Sequence, residues 1–177
     1  MSGQVKVLIV GQTPPPHHGQ AIMIERLLRG KFERVQLFHV RMAFSDSIGE
    51  VGRFRIGKLF HLAGVLVRII YCRCIHRPTV LCYPPAGPNR VPVYRDLAVL
   101  LCTRWMFRQT ILYFHAGGIS QLYPQLSQPV QWVFRRALFS ADAGIRISHG
   151  SPDDAQVLET RHDYVVPNGI EDEFERF

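Results

Sequence analysis

"VKVLIVGQTPPPHHGQAIMIERLLRG", residues 5–30, decides how the rest of the chain is read. Its first part, "VKVLIV" (5–10), is a β-branched apolar run without a solvent face, which places it inside a parallel sheet rather than at an edge. "GQAIMIERLLRG" (19–30) predicts a helix with Ile22, Leu27 and Leu28 near one face and Gly30 as its cap. Between them lies a loop dense in turn residues. Strand, loop and helix in this order open a βαβ unit.

The alternation continues outward. "RVQLFHV" (34–40) reads as a second strand, and 41–54, with Ser45, Asp46, Ser47, Gly49 and Gly52, as a mobile loop. A long helix over roughly 56–76 leads to the strand "TVLCY" (79–83), the loop "PPAGPNR" (84–90) and a helix over 91–107. "TILYFHA" (110–116) is a fourth strand, broken by Gly117 and Gly118. A helix over 129–141, with Pro129 in its first turn, and strands at 142–148 and 164–167 complete the series. Such alternation predicts an α/β domain: a Rossmann-like, doubly wound parallel sheet covered on both faces. Ligands of such sheets bind beyond the carboxyl ends of the strands, where strand order reverses. The common order 3-2-1-4-5-6 sets that crevice between strands one and four.

Composition agrees with one globular domain. The 177 residues are 47% hydrophobic and 20% charged. The net charge of +7 suits an anionic partner without choosing among nucleotide-sugar diphosphate, lipid phosphate, membrane surface and nucleic acid. Cys72, Cys74, Cys82 and Cys102 have no C-x-x-C spacing and read as buried, reduced thiols of a cytoplasmic protein. "VKVLIVG" is too short for a signal peptide, and His61 and Arg68 interrupt 59–72, the best candidate for a membrane span.

The two expected crevice loops carry the candidate site. "GQTPPPHHGQ" (11–20) has neither a dinucleotide fingerprint nor a P-loop pattern. Pro14, Pro15 and Pro16 stiffen it, and Gly19 opens the helix where free amides and the dipole favour an anion. The alternative is a rigid connection with two solvated histidines, His17 and His18. "YFHAGG" (113–118) ends a strand in His115, which can donate or accept a hydrogen bond near neutral pH.

The proline-containing loop ending in glycine, the strand ending in His115, and "VVPNGI" (165–170) together resemble the N-terminal half of a GT-B fold glycosyltransferase. The likeness is to the retaining family 4, also called group 1 glycosyl transferases, and spans Val5 to Glu171. His18 stands where that family usually has the first of two glycines. The resemblance implies a sugar moved, with retention, from a nucleotide-diphosphate donor to a cell-surface glycan or lipid-linked acceptor. It implies that His115 orients the donor sugar and that His18, Gly19, Gln20, Gly117 and Gly118 line the substrate site. No cofactor is implied, and with no D-x-D no metal is expected. Residues 1–170 would be the acceptor-side domain and 171–177 the start of a linker to a donor domain. The chain by itself would then be inactive.

Arg90, Arg95 and Asp96 in "PPAGPNRVPVYRD" (84–96) could line the acceptor pocket, or belong to an exposed loop and a helix-surface ion pair. The helix over 54–77, with Lys58, His61 and Arg68 on one stripe, either covers the sheet with a solvated polar face or docks peripherally on the inner face of the cell membrane. Two other functions compete. A stand-alone flavodoxin-like nucleotide-binding or regulatory module is one; a nicotinamide oxidoreductase is the other, opposed by the missing glycine fingerprint. No motif supports nucleic-acid binding.

Overall fold

A computed structural model describes residues 3–42 and 56–169, with side chains from Leu59 onward in the second stretch. The loop expected over 41–54 lies outside these residues except for Arg41 and Met42, as do the Lys58 side chain and the 171–177 segment.

Six strands form one all-parallel sheet: β1 (Val5–Gly11), β2 (Val35–Arg41), β3 (Val80–Tyr83), β4 (Gln109–Phe114), β5 (Ala143–Arg146) and β6 (Asp163–Val165). The fold is the Rossmann-like, doubly wound α/β architecture. Its strand order, β2-β1-β3-β4-β5-β6, differs from the expected 3-2-1-4-5-6. The reversal falls between β1 and β3, so those two strands, not one and four, flank the switch crevice. The burial of the strands accounts for their places. All four residues of β3 are buried, as a strand paired on both sides requires, whereas β2 exposes Gln36 and Arg41 and sits at the edge.

The two sheet faces are covered unequally. Leu8, Val10, Leu81, Tyr83, Leu112 and Phe114 point into the larger core. Over that face lie α2 (Ile56–Ile75), α3 (Arg90–Thr103) and α5 (Gln128–Leu138), which contribute Val65, Ile69, Val93, Leu97, Phe134 and Leu138. The opposite face carries α1 (Gly19–Arg29), where Ile24, Leu27 and Leu28 meet Ile9, Cys82, Ile111 and Tyr113. Ile22 does not share that contact. Gly30 closes α1 with an extended backbone, not a left-handed one, and its amide donates to the carbonyls of Arg26 and Leu27.

Several boundaries move. The helix expected over 91–107 ends at Thr103 and tightens into a 3₁₀ turn over Arg104–Met106. β4 stops at Phe114, leaving His115 in the loop beyond it. Two four-residue helices, α4 (Ile119–Leu122) and α6 (Asp154–Val157), have no forerunner in the sequence reading because four residues show no periodicity. Of the four free thiols, Cys72 and Cys82 are buried as expected; Cys74 and Cys102 are exposed, because they lie on the outer sides of α2 and α3.

Gly144 shows how tightly β5 and α6 pack. A Cβ there would lie 2.6 Å from the Ala155 Cβ and 3.2 Å from the Phe114 ring. Neither neighbour has a flexible end to withdraw. Gly144→Ala is expected to destabilise the domain by about 2 kcal/mol, read as a lower urea midpoint at unchanged m-value. An unchanged midpoint would mean that α6 does not pack on β5 as described.

Candidate functional site

Around the crevice between β1 and β3, the carboxyl edge of the sheet carries the loops that follow β1, β3 and β4. After β1, residues 12–18 lead into α1. Arg41 at the end of β2 holds this loop from outside, its Nη2 donating to the Pro15 carbonyl at 2.6 Å. His18 caps α1: its backbone is extended, and its Nδ1 accepts from the Ala21 amide at 3.3 Å. Burial lowers the His18 pKa, which favours the neutral ring that this acceptor role needs. By position, the Gly19 and Gln20 amides have no acceptor inside the helix. Gly19 is exposed, and a Cβ there would meet nothing within 4 Å. Packing within the chain therefore does not require a glycine at this position.

After β3, the loop over 84–89 is held by Asp96, whose side chain is fully buried. Its Oδ1 accepts from the Tyr83 hydroxyl at 2.7 Å, and its Oδ2 accepts from the Ala86 amide at 2.7 Å. The Arg95 guanidinium donates to the same carboxylate from Nε (2.8 Å) and Nη2 (2.6 Å). Burial pulls the Arg95 pKa down, and Asp96 and Tyr83 more than offset it, so the guanidinium stays charged. Burial, then Asp96, push the Tyr83 phenol well above its usual range. The surface ion pair considered from sequence is thus an interior one, with the carboxylate at its centre. Arg90, by contrast, is exposed at the start of α3 and donates to the Gln125 carbonyl at 3.3 Å.

After β4, His115 lies on the α1 side of the sheet. Its ring tilts against Tyr113 with centroids 4.0 Å apart, and Tyr113 packs on the Ile9–Ile24–Cys82 cluster. Both ring nitrogens of His115 are buried without a hydrogen-bond partner, and burial pushes its pKa down to about 4. The ring is neutral at physiological pH, with one N–H to donate and one nitrogen to accept. Gln12, just beyond β1, likewise has a buried Nε2 without a partner.

Gly117 and Gly118 have structural partners. Gly117 lies against Pro152, where a Cβ would come within 2.5 Å of Cδ. Gly118 has φ of +95°, a conformation that favours glycine. Its amide donates to Asp154 Oδ2 at 2.6 Å, and the Ser120 amide donates to Oδ1 at 2.8 Å. A fully buried carboxylate of the chain's own therefore occupies the amides that start α4.

The structure brings His18, Gly19, Gln20 and His115 to the α1 side of the carboxyl edge, and sets Arg90 on its outer rim. Sequence reading missed Gln12 and Asp154. It named Asp96 beside Arg95 but not its burial, for which a lone acid inside an apolar helix pattern was the signal. Among the described residues no group of three or more His, Cys, Asp or Glu side chains is placed to hold a metal ion. No protein-family model matches the chain, and no curated protein matches it.

Two outcomes follow from these groups. Asp96→Ala removes the buried carboxylate that accepts from the Tyr83 hydroxyl, the Ala86 amide and the Arg95 guanidinium, at a cost of about 3–5 kcal/mol in unfolding free energy. Faster hydrogen exchange at the Ala86 amide would accompany it. His115 gives a pH dependence. The unfolded ring takes up its proton near the ordinary 6.5 and the folded ring only near 4. Its contribution is therefore complete above pH 6.5 and is lost as pH falls towards 4, by about 3 kcal/mol in all. His115→Phe should flatten that part of the stability profile; an unaltered slope would place the titration elsewhere.

Proposed function

We propose that this domain is the acceptor-side half of a retaining glycosyltransferase that uses a nucleotide-diphosphate sugar. The observation that carries the reading is the unpartnered, neutral His115 at the carboxyl edge of the sheet, on the same side as the open start of α1. A buried imidazole with no hydrogen-bond partner among the described residues is costly unless a ligand supplies one. A sugar hydroxyl supplies both a donor and an acceptor. The Gly19 and Gln20 amides, with room above Gly19 for close approach, suit the diphosphate or the charge that develops on the leaving phosphate. Arg90 on the rim suits an anionic acceptor group. Arg95, fully engaged with Asp96, shapes the crevice loop; it is not proposed as a substrate contact.

A flavodoxin-like nucleotide-binding module is the second reading, favoured by the strand order with its switch between β1 and β3. Binding separates the two. A flavodoxin-like module would bind a mononucleotide tightly as the 177-residue chain. A transferase half would bind nucleotide weakly and would need a donor domain for turnover. The test is release of nucleoside diphosphate from a panel of nucleotide sugars, using this chain together with any reading frame that continues beyond codon 177. His115→Ala should then lower kcat by roughly 10²-fold or more. Unchanged turnover in that variant, or tight mononucleotide binding by the chain alone, overturns the transferase reading.

A further inference from the structure

Between Glu50 and Asp142 the sequence holds one acidic residue, Asp96, against twelve Lys and Arg. Asp96 is fully buried. This span supplies α2, α3 and α5, so those three helices contribute no exposed carboxylate of their own; the acids beside them are Glu159, paired with Arg135, and Asp142, paired with Arg161. Their exposed positions are also apolar. On α2, Phe60, Val67, Tyr71 and Ile75 fall on one stripe, with Phe60 76% exposed. On α3, Val91, Tyr94 and Cys102 run along the outer side and lead to Trp105, which is 76% exposed. α5 adds Trp132 at 69%.

These patches are continuous. Arg73, Cys74 and Arg77 at the end of α2 surround a shallow cavity of about 300 Å³ with Trp105 and Met106. A wider cavity of about 910 Å³, at the amino edge of the sheet, runs from Trp105 to Trp132. Arg108, Arg136 and Asp142 line it, and neither guanidinium of the two arginines has a hydrogen bond or ion pair among the described residues. Arg104, beside them, is held by the Ala137, Phe139 and Ser140 carbonyls and is not free.

We propose that the α2–α3–α5 face docks on an anionic lipid bilayer. The apolar ridge and the two tryptophans would enter the headgroup boundary, and Arg108 and Arg136 would meet lipid phosphates. Tryptophan and tyrosine favour that boundary, and a basic rim around an apolar strip is the pattern of helices that lie on anionic membranes. Charge complementarity argues against the nearest alternatives. A second copy would set one net-cationic face against another, and a nucleic acid backbone would need a run of cations along the face, where Arg68 stands beside an apolar stripe. No helix among the described residues is long and apolar enough to cross a membrane, so the contact is peripheral. The proposal stands independently of the transferase reading.

The chain has two tryptophans, and both lie on this face, so intrinsic fluorescence reports on it alone. Adding vesicles of phosphatidylcholine mixed with phosphatidylglycerol should shift the emission to the blue, and brominated lipid should quench it. Pure phosphatidylcholine should do neither, and high salt should weaken the effect. Removing two of the free cations, Arg108→Gln with Arg136→Gln, should lower partition to anionic vesicles by about 25-fold, fivefold for each. Lys31→Gln with Arg34→Gln, an equal charge loss in the connection between α1 and β2, should leave partition within twofold or so. Three results overturn the proposal: no shift with anionic vesicles, equal losses from the two pairs, or a concentration-dependent blue shift without lipid, which would mean that a second copy covers the face.

Discussion

A buried carboxylate costs several kcal/mol unless every lone pair finds a donor, and the carboxyl edge of this sheet is organised around that demand at Asp96. Its donors come from the end of β3, from the loop that follows and from the neighbouring Arg95. None can move without exposing the others' need for a partner. The consequence spreads sideways. Pro84 lies against Gly11 at the exit of β1, and Gly87 and Pro88 lie against Ala116 and Gly118 at the exit of β4. One internal ion pair therefore sets the geometry of three successive strand exits, including the two that bound the switch crevice.

Asp154 makes a complementary choice. Backbone amides at the start of a helix attract anions, and α1, α3 and α4 all start at this edge. The start of α4 is filled from within by Asp154, whereas α1, with its histidine cap, and α3, whose Asn89 makes no side-chain cap, stay open. The same arrangement shapes His115. No carboxylate pairs with it, and its ring is pressed on Tyr113, so burial dominates and the imidazole stays neutral. Had an acid stood beside it, the ring would have become a cation with two donors and no acceptor. The site is therefore polarised: open amides on two strand exits, a neutral two-way hydrogen-bonding group on a third, and the chain's own anions locked below.

The fold was legible in the sequence where the physics is local. Apolar β-branched runs such as "VKVLIV" and "TVLCY" can only be interior strands, and the helices between them are long enough to show their period. Strand order was not legible, because it depends on where each crossover lands on the sheet, and no single element encodes that. The site divides along the same line. His115 and Gly19 follow from the punctuation at strand and helix ends. Gly117 and Gly118 resembled ligand-approach glycines, but their neighbours are Pro152 and Asp154, more than thirty residues downstream. Arg95 read as a pocket residue or half of a surface ion pair, because adjacent helical residues do not normally meet in the interior. Here the carboxylate lies at the hub of a buried network, and the long arginine side chain folds back to reach it.

The two surfaces with unspent binding capacity meet along α3. Its first residue, Arg90, stands at the carboxyl edge, and its outer side runs down to Trp105 near the amino edge. A parallel sheet opens its crevice at the strand ends, at right angles to the helix layer that covers its face. A bilayer lying against α2, α3 and α5 would leave that opening unobstructed and looking along the membrane plane. An acceptor held by a lipid tail could then present its polar head to His115 and the α1 amides while its chain remained in the bilayer. If both proposals hold, a lipid-linked acceptor would let one geometry serve both surfaces.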